Sequence, residues 1–302
     1  VWDYNFNLSS GPYFSVGTLC HEFGHSLGAP DLYHYWDDAA PIAVGGWDLM
    51  DASTDIPQWF SAYIRYRYFD WIELIDASGG GTFTLNPLGL SYDNAYRVNS
   101  ANPNEYFVIE YRTQEGIYDT YAPGNDQGIV IYRVNHLYSG QGNADGPPDE
   151  LYVYRPGGTL NSNGSFGGAV FSEDVGQTQF NDTTNPSSFL SDGSMGGINI
   201  TNISSAGETI EFTVLNLMLL GDFIGVTNDS DGDGVVNPGE TTTLEFVMSN
   251  MSSNIFAFDI VGELTSEDPV TFTNSTLEFG ELQGNQSSYS YSVDMLVSDD
   301  IM

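Results

Sequence analysis

The chain has 302 residues, of which 40% are hydrophobic and 14% aromatic, a composition that favours folded domains over disorder. Its 41 acidic residues face 6 basic ones, all arginine, and the formal net charge of −35 argues against nucleic acid and anionic membranes as partners. The longest apolar stretch, VLNLMLLGDFIGV, is short and interrupted by polar residues, so we expect no membrane insertion.

The first predicted element is an amphipathic helix in VGTLCHEFGHSL. Its apolar residues recur at helical spacing as Val16, Leu19, Phe23 and Leu27. The only cysteine, Cys20, lies in the same stretch, so an intramolecular disulfide is excluded. We expect Cys20 to act as a small buried hydrophobic residue.

A second helix is predicted in DIPQWFSAYIRYRYFDWIEL, after a segment rich in Gly, Asp and Pro that should be irregular. Pro57 suits its first turn and Asp55 is the expected N-cap. The apolar residues at helical spacing are Ile56, Trp59, Phe60, Tyr63 and Ile64.

From residue 79 to residue 217, short β-branched and aromatic runs alternate with turn residues, which predicts an antiparallel β-sandwich. The runs are TFTL, EYFVIEYR, GIVIYRV, ELYVYR, GINITNI and TIEFTVL. Turn-rich linkers such as SGQGNADGPPDE are expected to lie on the surface.

Residues 218–302 predict a second β region with the character of an immunoglobulin-like sandwich. Its runs are TTTLEFVMSN, FAFDIVGEL, VTFTN and SYSYSVDMLV. This region is shorter than the roughly 100 residues of a complete module of that kind, so we expect it to be incomplete. The chain should therefore be predominantly β, with its two clearest helical patterns within residues 1–76.

The strongest chemical signal is CHEFGHSLGAPDLY. On a helix, His21 and His25 share one face, and both can bind one metal ion with an imidazole nitrogen. Glu22 lies beside that ion without needing to bind it. This is the arrangement of zinc peptidases, in which the glutamate is the general base that accepts a proton from the attacking water.

A catalytic zinc ion usually has three protein ligands, and the residues after the helix supply candidates. Gly28 can adopt positive φ and end the helix, and Pro30 prevents its continuation. The chain can then turn back and present Asp31. His34 is a rival third ligand, since imidazole is the better zinc donor.

HEFGHSLGAPD resembles the extended motif of the metzincin metallopeptidases, in the variant whose third ligand is aspartate. GGWDLMD resembles their Met-turn, with Met50 below the metal. Together with PQWFSAYIRYRYFDWIEL, NEYFVIEYR and APGNDQGIVIYRV, these motifs resemble the immune inhibitor A family of secreted bacterial metallopeptidases over roughly residues 1–215.

This resemblance implies an α+β metzincin-like catalytic portion in residues 1–78, followed by two all-β sandwiches. It implies that His21, His25 and Asp31 bind zinc, that Glu22 is the general base and that Met50 is structural. Tyr33, Tyr35 and Tyr63 are the candidates for stabilising an oxyanion.

Metzincins have an N-terminal subdomain before the zinc helix, whereas 20 residues precede His21 here. By this resemblance, either the chain is a fragment or the upper wall of the cleft is absent, and activity of the chain alone is in question.

The stretch DSDGDGVVNPGE has the spacing of a twelve-residue calcium loop between strands, which predicts a structural calcium ion. The candidate ligands are Asp229, Asp231, Asp233, Val235 through its carbonyl, Asn237 through water and Glu240, with Gly234 at the sharp turn.

The leading hypothesis is a secreted, extracellular zinc endopeptidase acting on protein or peptide substrates. The alternative is an inactive metallopeptidase-like protein that binds a cell surface or an extracellular partner through its β-sandwiches.

Overall fold

A computed structural model describes residues 15–36, 39–89, 94–120, 122–216, 219–233, 235–250, 257–266, 270–283, 286–288 and 290–298. The chain is predominantly β and divides into two compact units, residues 1–215 and 216–302. The predicted boundary between residues 78 and 79 runs through the first unit.

The predicted first helix is present as α1 (Val16–Ser26). The hydroxyl of Ser15 caps it by accepting a hydrogen bond from the Thr18 amide at 3.0 Å. Gly28 adopts a φ of 104°, and its amide donates to the carbonyl of His25 at 2.9 Å. The helix therefore ends where the glycine was expected to end it.

The apolar stripe of α1 faces outward, which the spacing alone did not predict. Val16, Leu19 and Phe23 are 61%, 51% and 59% exposed, and Cys20 is half-buried. The buried face contains two glycines and His21. At the first of these, Gly17, a Cβ would lie 1.8 Å from the carbonyl oxygen of Thr54, so close approach of the backbones decides which face is buried.

The second helix is much shorter than predicted: α2 (Ala62–Arg67) has six residues. Asp55 and Pro57 lie in irregular chain, and Ser61 is the N-cap. The reason lies at the helix start, where the amide of Ser61 donates to Asp48 Oδ2 at 2.7 Å and that of Ala62 to Glu110 Oε2 at 2.6 Å. Two buried carboxylates thus satisfy the first amides.

The rest of the first unit is built mainly from strands, with one further short helix, α3 (Gly116–Asp119). The strands are β1 (Leu74–Asp76), β2 (Gly81–Leu85), β3 (Ala95–Asn99), β4 (Glu105–Arg112), β5 (Gly128–Asn135), β6 (Leu151–Val153), β7 (Val170–Phe171), β8 (Phe180–Asn181), β9 (Asn199–Thr201) and β10 (Ile210–Val214). Each of the six predicted runs contains a strand, whereas β1, β3, β7 and β8 were not predicted.

These strands form two sheets. The six-stranded sheet has the order β1-β3-β4-β5-β6, with β7 also pairing with β5, and the four-stranded sheet has the order β2-β10-β9-β8. β1, which lies before residue 79, runs parallel to β3, so the first sheet is mixed. All strand pairs within the predicted range of residues 79–217 are antiparallel, as expected. Side chains from both sheets, such as Phe107 and Phe180, belong to one hydrophobic core that also contains Trp47 and Met50.

The second unit contains β11 (Leu219–Thr227), β12 (Thr241–Asn250), β13 (Ala257–Glu263), β14 (Val270–Phe272), β15 (Thr276–Leu282), β16 (Gln286–Ser287) and β17 (Tyr291–Val297). One sheet has the order β11-β12-β17-β14 with β16 on β12, and the other pairs β13 with β15. Its core is small, and its immunoglobulin-like character stays a prediction.

The arginine side chains pack against aromatic rings of the same chain. Each of the six guanidinium groups lies between 3.9 and 5.7 Å from the centroid of an aromatic ring. Four of them, Arg65, Arg112, Arg133 and Arg155, are buried. The cations therefore compensate little of the acidic surface. In the described part of the chain, no helix has the length and apolarity needed to cross a bilayer.

Candidate metal centre

The side chains of the three predicted zinc ligands, His21, His25 and Asp31, lie close together. Asp31 Oδ1 lies 3.0 Å from His21 Nε2 and 3.2 Å from His25 Nε2. The three ligand atoms all lie within 4.8 Å of one another. In a tetrahedral zinc site with bonds of about 2.0–2.1 Å, neighbouring ligand atoms are about 3.3 Å apart. The donor set and its spacing therefore fit a zinc ion.

Both imidazoles are held in the orientation that a metal site requires. His21 Nδ1 is hydrogen-bonded to the carbonyl oxygen of Leu49 at 2.8 Å. His25 Nδ1 is hydrogen-bonded to the carbonyl oxygen of Ala29 at 2.9 Å. A carbonyl can only accept, so each Nδ1 carries a proton and each Nε2 faces Asp31. A protonated Nε2 donates to that carboxylate, and a deprotonated Nε2 offers its lone pair to a metal.

The electrostatics of the three side chains make metal binding sensitive to protons. Burial acts to raise the pKa of Asp31, but hydrogen bonds from His21, His25 and Tyr35 outweigh it and hold this pKa well below the ordinary value. Burial opposes the raised pKa of His21, which Asp31 and the Leu49 carbonyl produce. The pKa of His25 is raised mainly by its hydrogen bond to Asp31. A metal bound by these side chains would therefore compete with protons for the two Nε2 atoms.

Glu22 lies next to this group on α1 and is half-buried. Its charge contributes to raising the pKa of both His25 and Tyr33, so its carboxylate is close to both. Within the described residues no hydrogen bond occupies this carboxylate.

Met50 lies under the helix. It is fully buried, and its Sδ atom would be 2.6 Å from a Cβ added at Gly24, which lies between the two histidines in α1. The amide of Leu32 donates to the Met50 carbonyl at 2.9 Å. Met50 therefore joins the helix to the segment that contains Asp31.

Two aspartates, the buried Asp48 and the half-buried Asp51, hold the turn around Met50, and sequence reasoning missed both. Asp48 Oδ1 accepts from the Met50 amide at 2.7 Å. Asp51 Oδ2 accepts from the amides of Val44 and Gly45 at 3.1 and 2.7 Å. Burial raises the pKa of each carboxyl to about 6, although these hydrogen bonds act in the opposite direction.

The rival ligand and two of the three tyrosines have other partners. His34 Nε2 lies 2.6 Å from Asp149 Oδ1 and is outside the metal group. The hydroxyl of Tyr63 donates to the buried carboxylate of Glu150, and that of Tyr35 donates to Asp31 Oδ2. The ring centroid of Tyr33 lies 6.3 Å from that of His21. Burial raises the pKa of Tyr33, and interactions with Asp31 and Tyr35 also affect this pKa, so Tyr33 has polar neighbours too and stays a candidate for stabilising an oxyanion.

The predicted surface linker at residues 139–150 contacts the Asp31 segment, and only part of it, including Gln141 and Asp145, is exposed. Asn143 and Glu150 within it are fully buried. The amide of Asn143 donates to the Asp31 carbonyl at 2.9 Å. Its composition, rich in Gly, Pro and Asp, is that of an exposed loop, so the sequence contains no signal for this contact.

An apolar pocket of about 160 Å³ opens beside α1. Two of its lining residues are neighbours of His21: Cys20 precedes it in α1, and the carbonyl of Leu49 is hydrogen-bonded to its Nδ1. Its other lining residues are Pro57, Gln58, Trp59, Phe60, Trp71 and Tyr118.

The predicted calcium loop joins β11 to β12 in the second unit. Carboxylate oxygens of Asp229, Asp231 and Asp233 lie within 4.8 Å of one another. Glu240 is not part of this group, and its Oε2 accepts from the Asn237 amide at 2.7 Å. The side chain of Val235 is 57% exposed, and Gly234 lies outside the described residues.

Comparison with known proteins gives no relative: no family model, curated protein or solved structure matches the chain.

Proposed function

We propose that this chain carries the zinc centre of a secreted metalloendopeptidase. The observation that supports it best is the convergence of His21 Nε2, His25 Nε2 and Asp31 Oδ1, with each histidine oriented by a backbone carbonyl. The resemblance of HEFGHSLGAPD and GGWDLMD to metzincin motifs suggests the reaction class, hydrolysis of peptide bonds.

Each residue has a distinct role in this proposal. His21, His25 and Asp31 hold the zinc ion, whose Lewis acidity would acidify water and polarise a peptide carbonyl. Glu22 accepts the proton of the attacking water and passes it to the leaving amine. Tyr33 donates a hydrogen bond to the oxyanion. Met50 supports the helix from below.

The test measures zinc content and casein hydrolysis of the protein, together with any sequence that precedes residue 1 in its natural context. Glu22→Ala should retain zinc and lose hydrolysis, whereas His25→Ala should lose both. Zinc binding without hydrolysis in the unaltered protein would exclude the peptidase and favour the binding-protein alternative. Absence of zinc binding would exclude the metal centre itself.

The proposal includes a structural calcium ion held by Asp229, Asp231 and Asp233. Three carboxylates so close together repel one another, and a divalent cation relieves that repulsion. Calcium binding by a chain of net charge −35 is consistent with an extracellular location, where calcium is abundant.

A further inference from the structure

We infer that the loop at residues 140–150, hereafter the bracing loop, positions the third metal ligand, Asp31, through Gly142 and Asn143. This inference rests on the proposed zinc site. It assigns a role in that site to residues that follow β5 in the chain, more than a hundred positions after the metal ligands.

The bracing loop contacts the backbone of Asp31 and Leu32 directly. The amide of Asn143 donates to the Asp31 carbonyl at 2.9 Å, and its side-chain Nδ2 donates to the Leu32 carbonyl at 2.9 Å. Two consecutive peptide groups of the ligand segment are therefore held by one residue. A third contact follows, because the amide of Tyr35 donates to the Ala144 carbonyl at 2.9 Å.

Asn143 is itself fixed. It is fully buried, its Nδ2 also donates to the Leu151 carbonyl at 2.8 Å, and its Oδ1 accepts from the Leu151 amide at 3.1 Å. Leu151 is the first residue of β6, which pairs with β5. The ligand segment is thus connected to the central sheet through a side chain that makes three hydrogen bonds.

Gly142 allows the approach to be this close. Its φ is 65°, and a Cβ there would lie 2.2 Å from the Asp31 carbonyl oxygen and 2.8 Å from Pro30 Cβ. Any side chain would push Asp31 away. The Gly142 amide is held in turn by Glu150 Oε2 at 2.7 Å. Glu150 Oε2 also accepts from the Gly140 amide at 3.1 Å.

We expect these contacts to affect metal binding more than folding. Asp31 follows the end of α1 by five residues, so the helix that fixes His21 and His25 does not fix Asp31. Zinc requires ligand atoms within a few tenths of an ångström of their positions. The bracing loop constrains the position of Asp31, which α1 does not. A small shift of Asp31 should therefore lower zinc affinity without unfolding the protein.

The test compares Gly142→Ala with Gly140→Ala. Both glycines have positive φ and both amides bind Glu150, but at Gly140 an added Cβ has no atom within 4 Å. Both substitutions therefore strain the backbone, but only Gly142→Ala places a methyl group against the Asp31 carbonyl. We expect Gly142→Ala to raise the zinc Kd about tenfold or more above that of Gly140→Ala. The absorption spectrum of the cobalt-substituted protein should change in Gly142→Ala alone.

Asn143→Asp is a second variant, independent of backbone strain, that replaces the donor to Leu32 with an acceptor. Its control is Asn135→Asp, at a buried asparagine whose side chain binds Ser191 and Leu137 instead. We again expect about a tenfold or larger rise in the zinc Kd, measured by chelator competition, for Asn143→Asp alone.

If Gly142→Ala and Asn143→Asp bind zinc with the Kd and cobalt spectrum of their controls, the inference is overturned and the proposed function stands. If the unaltered chain binds no zinc, the metal centre itself is overturned and the inference falls with it.

Discussion

The hydroxyl of Tyr35 donates a hydrogen bond to Asp31 Oδ2, while Oδ1 of the same carboxylate faces the two histidines. The carboxylate therefore has one oxygen directed to the metal position and one held by the protein. Such a partner fixes which oxygen can bind a metal and restricts rotation of the carboxylate. The same contact removes Tyr35 from the candidates for stabilising an oxyanion.

Removing this hydroxyl should weaken zinc binding without unfolding the protein. We expect Tyr35→Phe to raise the zinc Kd by about one order of magnitude, because outer partners of metal ligands commonly contribute that much. Chelator competition at constant pH measures the change. Tyr138→Phe is the control, since its hydroxyl has no hydrogen bond within the described residues. Equal Kd values for the two variants would contradict the prediction.

Local spacing predicted much of the metal group. A helix places residues four apart on one face, so His21 and His25 could be paired from the sequence. Gly28 could be recognised as the stop because positive φ is a property of single residues. Asn143 could not be found this way, since it binds the backbone of Asp31 and Leu32, more than a hundred positions earlier. Asp48 binds the amides of Met50 and Ser61 in an irregular segment, where helical spacing gives no guide.

The positions of the strands along the chain were predicted better than their order within the sheets. Runs such as 105–112 and 241–250 agree with β4 and β12 because dense β-branched and aromatic residues mark buried strands. The parallel pairing of β1 with β3 depends on distant contacts that leave no local pattern. The exposed stripe of α1 shows the reverse case, in which a clear apolar pattern did not identify the buried face.

The close approach at Gly17 leads to a stability prediction. Alanine is normally the better helix residue, by about 1 kcal/mol. At Gly17, however, its Cβ would lie 1.8 Å from the Thr54 carbonyl oxygen, a backbone atom. We expect Gly17→Ala to lower the free energy of unfolding by about 1–3 kcal/mol in urea titrations. Phe23→Ala, at an exposed position of the same helix, should cost less. A more stable Gly17→Ala variant would show that the two segments are not packed this closely.

The buried carboxyl of Asp51 should make stability depend on pH. Burial raises its pKa to about 6 in the folded protein, above the ordinary value of 3.8. The stability associated with this group is therefore fully present below about pH 4 and is lost as the pH rises through about 6. The loss is at most about 3 kcal/mol, since each pKa unit corresponds to about 1.4 kcal/mol.

Asp51→Asn remains neutral, so its free energy of unfolding should fall less between pH 4 and pH 7 than that of the unaltered protein. Urea titrations at several pH values in a chelator provide the measurement. Asp126→Asn, at an exposed aspartate, is the control and should follow the unaltered protein. Parallel pH profiles for all three proteins would exclude a buried, proton-linked Asp51.

Calcium should stabilise the second unit selectively. Calcium at a hundredfold excess over its Kd would add about 2.7 kcal/mol to the unfolding free energy of that unit. All five tryptophans lie within residues 1–76, so their fluorescence reports on the first unit. Far-UV circular dichroism reports on both. We expect calcium to raise the midpoint of a transition seen by circular dichroism and not by tryptophan fluorescence.

Asp231→Ala should abolish that calcium effect. In a chelator the variant should be as stable as the unaltered protein or more so, because one of three repelling carboxylates is gone. Asp222→Ala, at an exposed aspartate of β11, should keep the full effect. A calcium response retained by Asp231→Ala would place the cation elsewhere.

The aromatic pocket beside His21 should determine which peptides are cleaved, if the chain is a peptidase. Its volume of about 160 Å³ and its lining by Trp59, Phe60 and Trp71 suit a large apolar side chain next to the bond that is cut. In matched peptides we expect Leu or Phe at that position to give a higher kcat/KM than Ala, by at least tenfold.

Filling the pocket should remove this preference. Cys20→Phe introduces a ring from α1 into the space, so peptides with large side chains should lose kcat/KM while those with Ala keep it. Cys20→Ser changes the chemistry and hardly the volume, and it should behave like the unaltered protein. Zinc content is measured in both variants, because Cys20 precedes a metal ligand. If Cys20→Phe retains zinc and the preference for large side chains, a different surface selects the substrate.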